Sequence, residues 1–190
     1  MDQHNLISDT DSASINKILE EFSRVNEQAG LQSTLLTIIK DLIVNQGNNL
    51  RKKNSNNPLN KFGRKCFSQT DEDGITYEII KRLKLKKGSF AEFGVGNGLE
   101  NNTLLLNALG WKGFWVGGED LLINYENNHR FRYVKEWITS KNILHLCRSS
   151  MAELNIEDLD VVSLDLDGND YHLCCELLKN DILPKLFIVE

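Results

Sequence analysis

The sequence predicts an α/β fold: a Rossmann-like, doubly wound, mostly parallel sheet with helices on both faces, preceded by an N-terminal helical extension. Three observations predict it. Beyond about residue 62, short apolar strands alternate with helical segments, the pattern of a parallel sheet covered on both sides. The strand Ser89-Phe90-Ala91-Glu92-Phe93 opens into a glycine-rich turn, Gly94-Val95-Gly96-Asn97-Gly98. A second strand ends in Gly117-Gly118-Glu119-Asp120, about twenty residues further on, where nucleotide-binding sheets carry an acid for ribose hydroxyls.

In chain order, residues 1–46 form the helical extension. Asp11 and Ser12 can cap a first turn, and Ile15, Ile18, Leu19, Phe22 and Val25 recur at helical spacing. Gly30 interrupts. Leu31, Leu35, Leu36, Ile38, Ile39, Leu42 and Ile43 then make a second series, which Gly47 ends. The series is too short and irregular for a coiled coil, so packing on the main domain or homo-oligomerisation through these helices is favoured over a specific partner. Residues 47–61 are polar and Asn-rich and carry Pro58, which predicts a linker.

The third part, residues 62–190, is the sheet domain. Spacing predicts helices over 74–85, 102–109, 123–135 and 171–178. It predicts strands over 89–93, 113–116, 142–147, 160–166 and 186–189. Ligands of such sheets sit beyond the carboxyl ends of the strands, where the strand order reverses.

Composition narrows the partners. A chain that is 41% hydrophobic and 26% charged can bury a core, and a net charge of −5 provides no basic footprint for nucleic acid. The basic runs Arg51-Lys52-Lys53 and Lys81 to Lys87 read as solvated faces. Cys66, Cys147, Cys174 and Cys175 form no CxxC pair and read as reduced thiols. The N-terminus lacks a signal-peptide pattern and no apolar run is long enough to span a bilayer, so a cytoplasmic location is expected.

The glycine turn indicates the cofactor class. A turn without side chains lets a ligand approach the backbone. Dinucleotide enzymes use GxGxxG, with a pyrophosphate on the following helix N-terminus. Here the third glycine comes one residue early and Leu99 stands where that motif needs glycine. Glu92, just ahead of the first glycine, gives E-x-G-x-G-x-G, which suits a phosphate-free cofactor with an amino group: S-adenosylmethionine.

After the strand Val161 to Leu164 comes Asp165-Leu166-Asp167-Gly168-Asn169-Asp170-Tyr171-His172. A calcium loop is disfavoured, because Asp170 occupies the required glycine position. Three readings stay open. Asp165 or Asp167, with Glu190, could hold Mg²⁺ and orient a substrate hydroxyl. Without a metal, Asp167 or His172 could act as general base. Asn169 or Asp170 could simply cap a helix.

Four runs in this order resemble the FkbM-type S-adenosylmethionine-dependent methyltransferases. They are Cys66 to Ile75; Phe90 to Gly98 with Glu100-Asn101-Asn102-Thr103; Gly110-Trp111-Lys112-Gly113; and Ser163 to Tyr171 followed by Pro184 to Glu190. The resemblance spans about Phe67 to Glu190 and leaves the N-terminal helices uncovered. It implies a Rossmann-like fold and O-methylation of a sugar or other small hydroxylated acceptor. It further implies that Gly94, Gly96 and Gly98 hold the cofactor, that Glu92 faces its methionine end, and that Ser68, Gln69 and Asp73 close over the pocket. Glu119, with Asp120 in reserve, stands for the ribose-binding acid, and Asp165 joins the cofactor-binding set. Sheets of this family continue beyond the fifth strand, where the given sequence ends at Glu190. That departure raises a second expectation, a non-catalytic cofactor-binding module that assembles through its helices. A nucleotide-dependent oxidoreductase is the third, disfavoured by the glycine spacing.

Overall fold

A computed structural model describes residues 52–125 and 128–189, together with parts of 32–50. The chain divides into two compact units, Met1–Leu50 and Arg51–Glu190. In the first, the described residues from position 32 onward are helical, in line with the second expected series, whereas the first series, Ile15 to Val25, lies outside the described residues. Gly47 itself is helical, as are 49–50 and, in the second unit, 52–54, where a linker is predicted. A glycine inside a helix costs only about 1 kcal/mol against alanine, too little to stop one that is otherwise supported.

Beyond residues 52–54, the second unit has a 3₁₀ turn at Asn60–Phe62, followed by α1 (Glu72–Arg82), β1 (Ser89–Phe93), α2 (Leu104–Ala108) and β2 (Lys112–Gly117). It continues through β3 (Phe131–Lys135), α3 (Ile143–Leu154), β4 (Val161–Leu164), α4 (Asp170–Lys179) and β5 (Leu186–Val189). The five strands form one sheet in the order β3-β2-β1-β4-β5, every pair parallel. This is an α/β, Rossmann-like sheet. Its strand order reverses between β1 and β4, the place where sheets of this kind bind their ligands.

Alternation along the strands sends side chains to two cores. Ala91, Phe93, Phe114, Val116, Val162 and Leu164 point to one face, where Ile143, Leu146, Cys147 and Met151 of α3 and Leu173 and Leu177 of α4 cover them. Phe90, Trp115, Phe131 and Val161 point to the other, beneath Ile80 of α1 and Leu106 of α2. Burial on the first face pushes the Cys147 thiol up to about 12, and all four cysteines are free.

Two elements differ from the sequence expectation. Residues 123–135, read as a helix, contain β3, in which Phe131 and Tyr133 alternate with Arg132 and Val134 to opposite faces. Residues 142–147, read as a strand, open helix α3, whose buried residues Ile143, Leu146, Cys147, Ser150 and Met151 recur at helical spacing. A six-residue window catches only the apolar start of that series, which cannot separate a strand from a helix.

Phe114 is fully buried in the first core, edge-on to Phe93 with ring centroids 5.9 Å apart. Phe114→Ala is expected to cost about 3–5 kcal/mol in urea unfolding, whereas Tyr77→Ala, at an exposed site on α1, stays within about 0.5 kcal/mol.

Candidate functional site

The site begins where β1 leaves the sheet. Gly94 N and Val95 N both donate to Val116 O, at 3.0 and 3.1 Å, so the turn stays clipped to β2. Gly94 has φ +94°, and a Cβ there would stand 1.7 Å from the Asp165 carbonyl oxygen. Only glycine lets the exits of β1 and β4 approach so closely. Gly96 is different: the one atom within 4 Å of a Cβ placed there is Glu119 Oε2, at 3.9 Å. Its open side faces a cavity, and a side chain would fill that space without straining the fold.

Behind the turn lies Glu92, 2% exposed. Its Oε1 accepts from Asn102 N at 2.9 Å, and its Oε2 accepts from Thr103 N at 3.0 Å and Thr103 Oγ1 at 2.6 Å. Thr103 Oγ1 in turn accepts from Trp115 Nε1 at 2.8 Å, and Asn102 Nδ2 donates to Ser163 Oγ at 3.3 Å. One carboxylate thereby satisfies amides that helix α2 would otherwise leave unpaired at its start. Burial holds the Glu92 carboxyl above its ordinary 4.5, and the bonds from Thr103 and Asn102 draw it back only in part.

The main cavity, about 440 Å³, lies over the carboxyl ends of β1, β2 and β4. Its walls are Gly94-Val95-Gly96, Gly117-Gly118-Glu119, Glu136-Trp137-Ile138 and Asp165-Leu166-Asp167, with Asn169 and Leu173. Four carboxylates line it and no lysine or arginine does. The Tyr133 hydroxyl lies within hydrogen-bonding distance of the Gly117 carbonyl, 3.0 Å, and of the Glu119 carbonyl, which anchors the turn that presents Glu119. Burial raises the Tyr133 pKa, so the hydroxyl remains a donor. Trp137, 77% exposed, stands beside Gly118, where a Cβ would meet its ring at 3.3 Å.

The Asp165–Asp170 loop is held from below. Asp170, buried, accepts from Leu166 N at 2.7 Å and from Gly168 N at 3.1 Å. The bend needs positive φ at Asp167 (+49°) and Gly168 (+95°), and it leaves Asp167 exposed on the cavity rim.

A second cavity, about 220 Å³, adjoins the first. Gln69, Glu72, Glu100, Asn102, Ile188 and Val189 line it, and Asp165 borders both cavities. The loop carrying Gln69 is wound around Asp73, which is wholly buried. Asp73 Oδ2 accepts from the backbone amides of Cys66, Phe67 and Ser68 at 2.7–2.8 Å and from Ser68 Oγ at 2.9 Å.

Of the residues that the sequence singles out, Gly94, Gly96, Glu119, Asp165 and Asp167 come together in the main cavity, and Gln69 joins Asp165 in the smaller one. Six stand elsewhere, among them Ser68, buried against Asp73. Glu92 lies beneath the turn, and Asp73 lies under the Gln69 loop. Gly98 is buried against Leu121 and Trp115, while Asp120 points outward to Lys135, 2.7 Å away. His172 is exposed on α4 against Tyr171, outside both linings. Glu190, considered as a metal ligand, lies outside the described residues. Among the described residues, no three His, Cys, Asp or Glu side chains are grouped to hold a metal ion, and no helix is long and apolar enough to cross a membrane. The sequence reading missed Tyr133, Glu136, Trp137 and Ile138, because the misread helix over 123–135 hid the end of β3. The alternation in Phe131 to Lys135 is the signal that finds them. Compared with protein-family models, curated proteins and solved structures, the chain has no match.

Two outcomes follow from this geometry. Gly94→Ala is expected to lose at least ~2 kcal/mol in urea unfolding, from the clash with Asp165 and the positive φ, while Gly96→Ala stays within ~0.5 kcal/mol. The folded Glu92 carboxyl keeps its proton to higher pH than the unfolded chain does. Its contribution to stability is therefore fully present below the ordinary 4.5 and is lost as pH rises through the folded pKa. Glu92→Gln should abolish that loss, so unfolding curves of parent and variant across pH 4.5 and upward check the sign.

Proposed function

We propose that the chain is an S-adenosylmethionine-dependent methyltransferase of the FkbM type, transferring a methyl group to a hydroxyl of a sugar-like or other small hydroxylated acceptor. One observation carries the reading: the anion seat of the fold is already filled from inside. In dinucleotide-binding sheets the start of the helix after β1 receives a pyrophosphate. Here Glu92 occupies the Asn102 and Thr103 amides of that start. The cavity above adds four carboxylates with no lysine or arginine, which repels phosphates and favours a cation. A sulfonium cofactor that also bears an ammonium group fits that field, and about 440 Å³ suits a ligand of its size.

When bound, the cofactor supplies a methyl group on positively charged sulfur. The chain's own residues do the rest. Gly94 holds the turn against the β4 exit, the bare backbone at Gly96 admits the ligand, Glu119 accepts hydrogen bonds from ribose hydroxyls, and Trp137 offers a flat apolar face to the base. The smaller cavity takes the acceptor, with Gln69, Asn102 and Glu100 as polar contacts over an Ile188–Val189 floor. Asp165, which borders both cavities, accepts the hydroxyl proton, and Asp167 on the rim is its reserve. Exposed and outside both linings, His172 is given no role. Rate comes mainly from holding acceptor oxygen and methyl in line. Asp165 and Asp167 serve as hydrogen-bond acceptors in this scheme, which needs no Mg²⁺.

Calorimetric titration with S-adenosylmethionine and S-adenosylhomocysteine tests the reading. The parent should bind both, Gly96→Val should bind at least about tenfold more weakly with unchanged unfolding, and NAD or ATP should give no heat. A folded parent that binds neither sulfur ligand, or that prefers NAD, refutes the proposal.

A further inference from the structure

The N-terminal unit leaves large apolar side chains uncovered. Leu35, Leu36, Ile39, Leu42, Ile43 and Leu50 are all exposed, Leu36 at 67% and Ile43 at 65%. They are not scattered. Leu36, Ile43 and Leu50 are seven residues apart, Ile39 and Gln46 fall between them at the alternate three- and four-residue steps, and Leu35 and Leu42 flank the line. Because Gly47 and the described residues 49–50 are helical, this frame is read from Gln32 to Leu50 instead of stopping at Ile43. In the sequence the same frame extends back through Ala29, Val25, Phe22, Ile18 and Ile15, positions outside the described residues. A repeat of seven, not of 3.6, keeps one seam facing a partner helix that has the same repeat.

We propose that this seam joins copies of the chain in a parallel, in-register coiled coil. The two glutamines choose the partner and the direction. Gln32 and Gln46 occupy seam positions where a buried amide needs another amide opposite. Parallel copies in register set Gln46 against Gln46 and Gln32 against Gln32. An antiparallel pair centred on the seam sets each against leucine, which leaves its amide unmet. Covering the six apolar side chains removes on the order of 600 Å² from each copy, about 1,200 Å² per pair, the lower bound of a specific interface. A lipid surface fits less well. Helices that lie on membranes carry a lysine- and arginine-rich polar face, and between Gln32 and Leu50 the sequence has only Lys40 and Asp41 as charges, which cancel. The inference stands apart from the methyl-transfer reading, since the seam lies outside the sheet domain.

Sedimentation velocity on the full chain, from below one to tens of micromolar, tests it. The parent should run at a multiple of the single-chain mass and dissociate on dilution. Ile39→Glu with Ile43→Glu should run as a single chain while the sheet domain's thermal transition and cofactor titration stay unchanged. Asn45→Glu, off the seam, should associate like the parent. Mixing two differently tagged parents should yield hybrids. A parent that stays single-chain at tens of micromolar overturns the proposal, whether or not it floats with anionic vesicles, and so does association that survives the double substitution.

Discussion

The buried carboxylate of Glu92 is the constraint from which the ligand-binding edge is built. A charge held away from water is costly unless every lone pair finds a donor. Here the donors are amides that a helix start leaves unpaired in any case. Each group reduces the other's penalty. The contact also fixes geometry: Thr103 passes the connection to Trp115 on β2, and Asn102 passes it to Ser163 on β4. In the sheet register Glu92 lies between those same two residues. One side chain thus ties three central strands to helix α2. The turn between is fastened at both ends, through Val116 on one side and Glu92 on the other, with Leu122 N bonded to the Asn97 carbonyl in the middle. A turn so tied meets a ligand with its shape already set, which lowers the entropy lost on binding.

Three acids share that inward role. Glu92, Asp73 and Asp170 are all buried, and each gathers backbone amides of the loop it supports. Glu119, Asp165 and Asp167 instead line the main cavity. Residue type cannot separate the two sets, which is why the sequence reading grouped Glu92 and Asp73 with ligand-binding residues. Local chemistry offers part of the answer. A carboxylate five residues beyond a hydroxyl, as Asp73 is from Ser68, can close a loop on itself. Glu92, in the middle of a strand buried at every position, must face a core and therefore must be satisfied from within.

Strand β1 and the glycine turn were legible because several signals agree there: an apolar strand, glycines at fixed spacing, and an acid on the next strand. The parallel sheet followed from the alternation of elements, so the architecture survived two misread segments. Those segments share a cause. Around Phe131 and Ile143, apolar residues are dense enough to satisfy either period over a short window, and tertiary packing decides. The error had a functional consequence. Trp137 and Ile138 occupy the connection between β3 and α3, and a helix drawn through 123–135 removes the strand end that delivers them to the cavity. The alternation in Phe131 to Lys135 marks the strand that delivers them, and the place of that strand in the sheet then brings them to the cavity.

The closeness of β1 and β4 at their exits has a further consequence for chemistry. On the proposed reading, in-line methyl transfer requires donor and acceptor on one axis, hence two binding spaces that meet at a common border. Asp165 borders both cavities, and it stands where it does because Gly94 admits the Asp165 carbonyl to a distance no side chain would allow. A Cβ at Gly94 would push the β4 exit outward, separating the two spaces and carrying Asp165 with it. On the proposed reading, then, the first glycine of the turn serves catalysis by setting the spacing of two strands, while Gly96 serves binding by leaving its side of the cavity bare. Two glycines of one motif act through different physics: one through the protein's own packing, the other through room for the ligand.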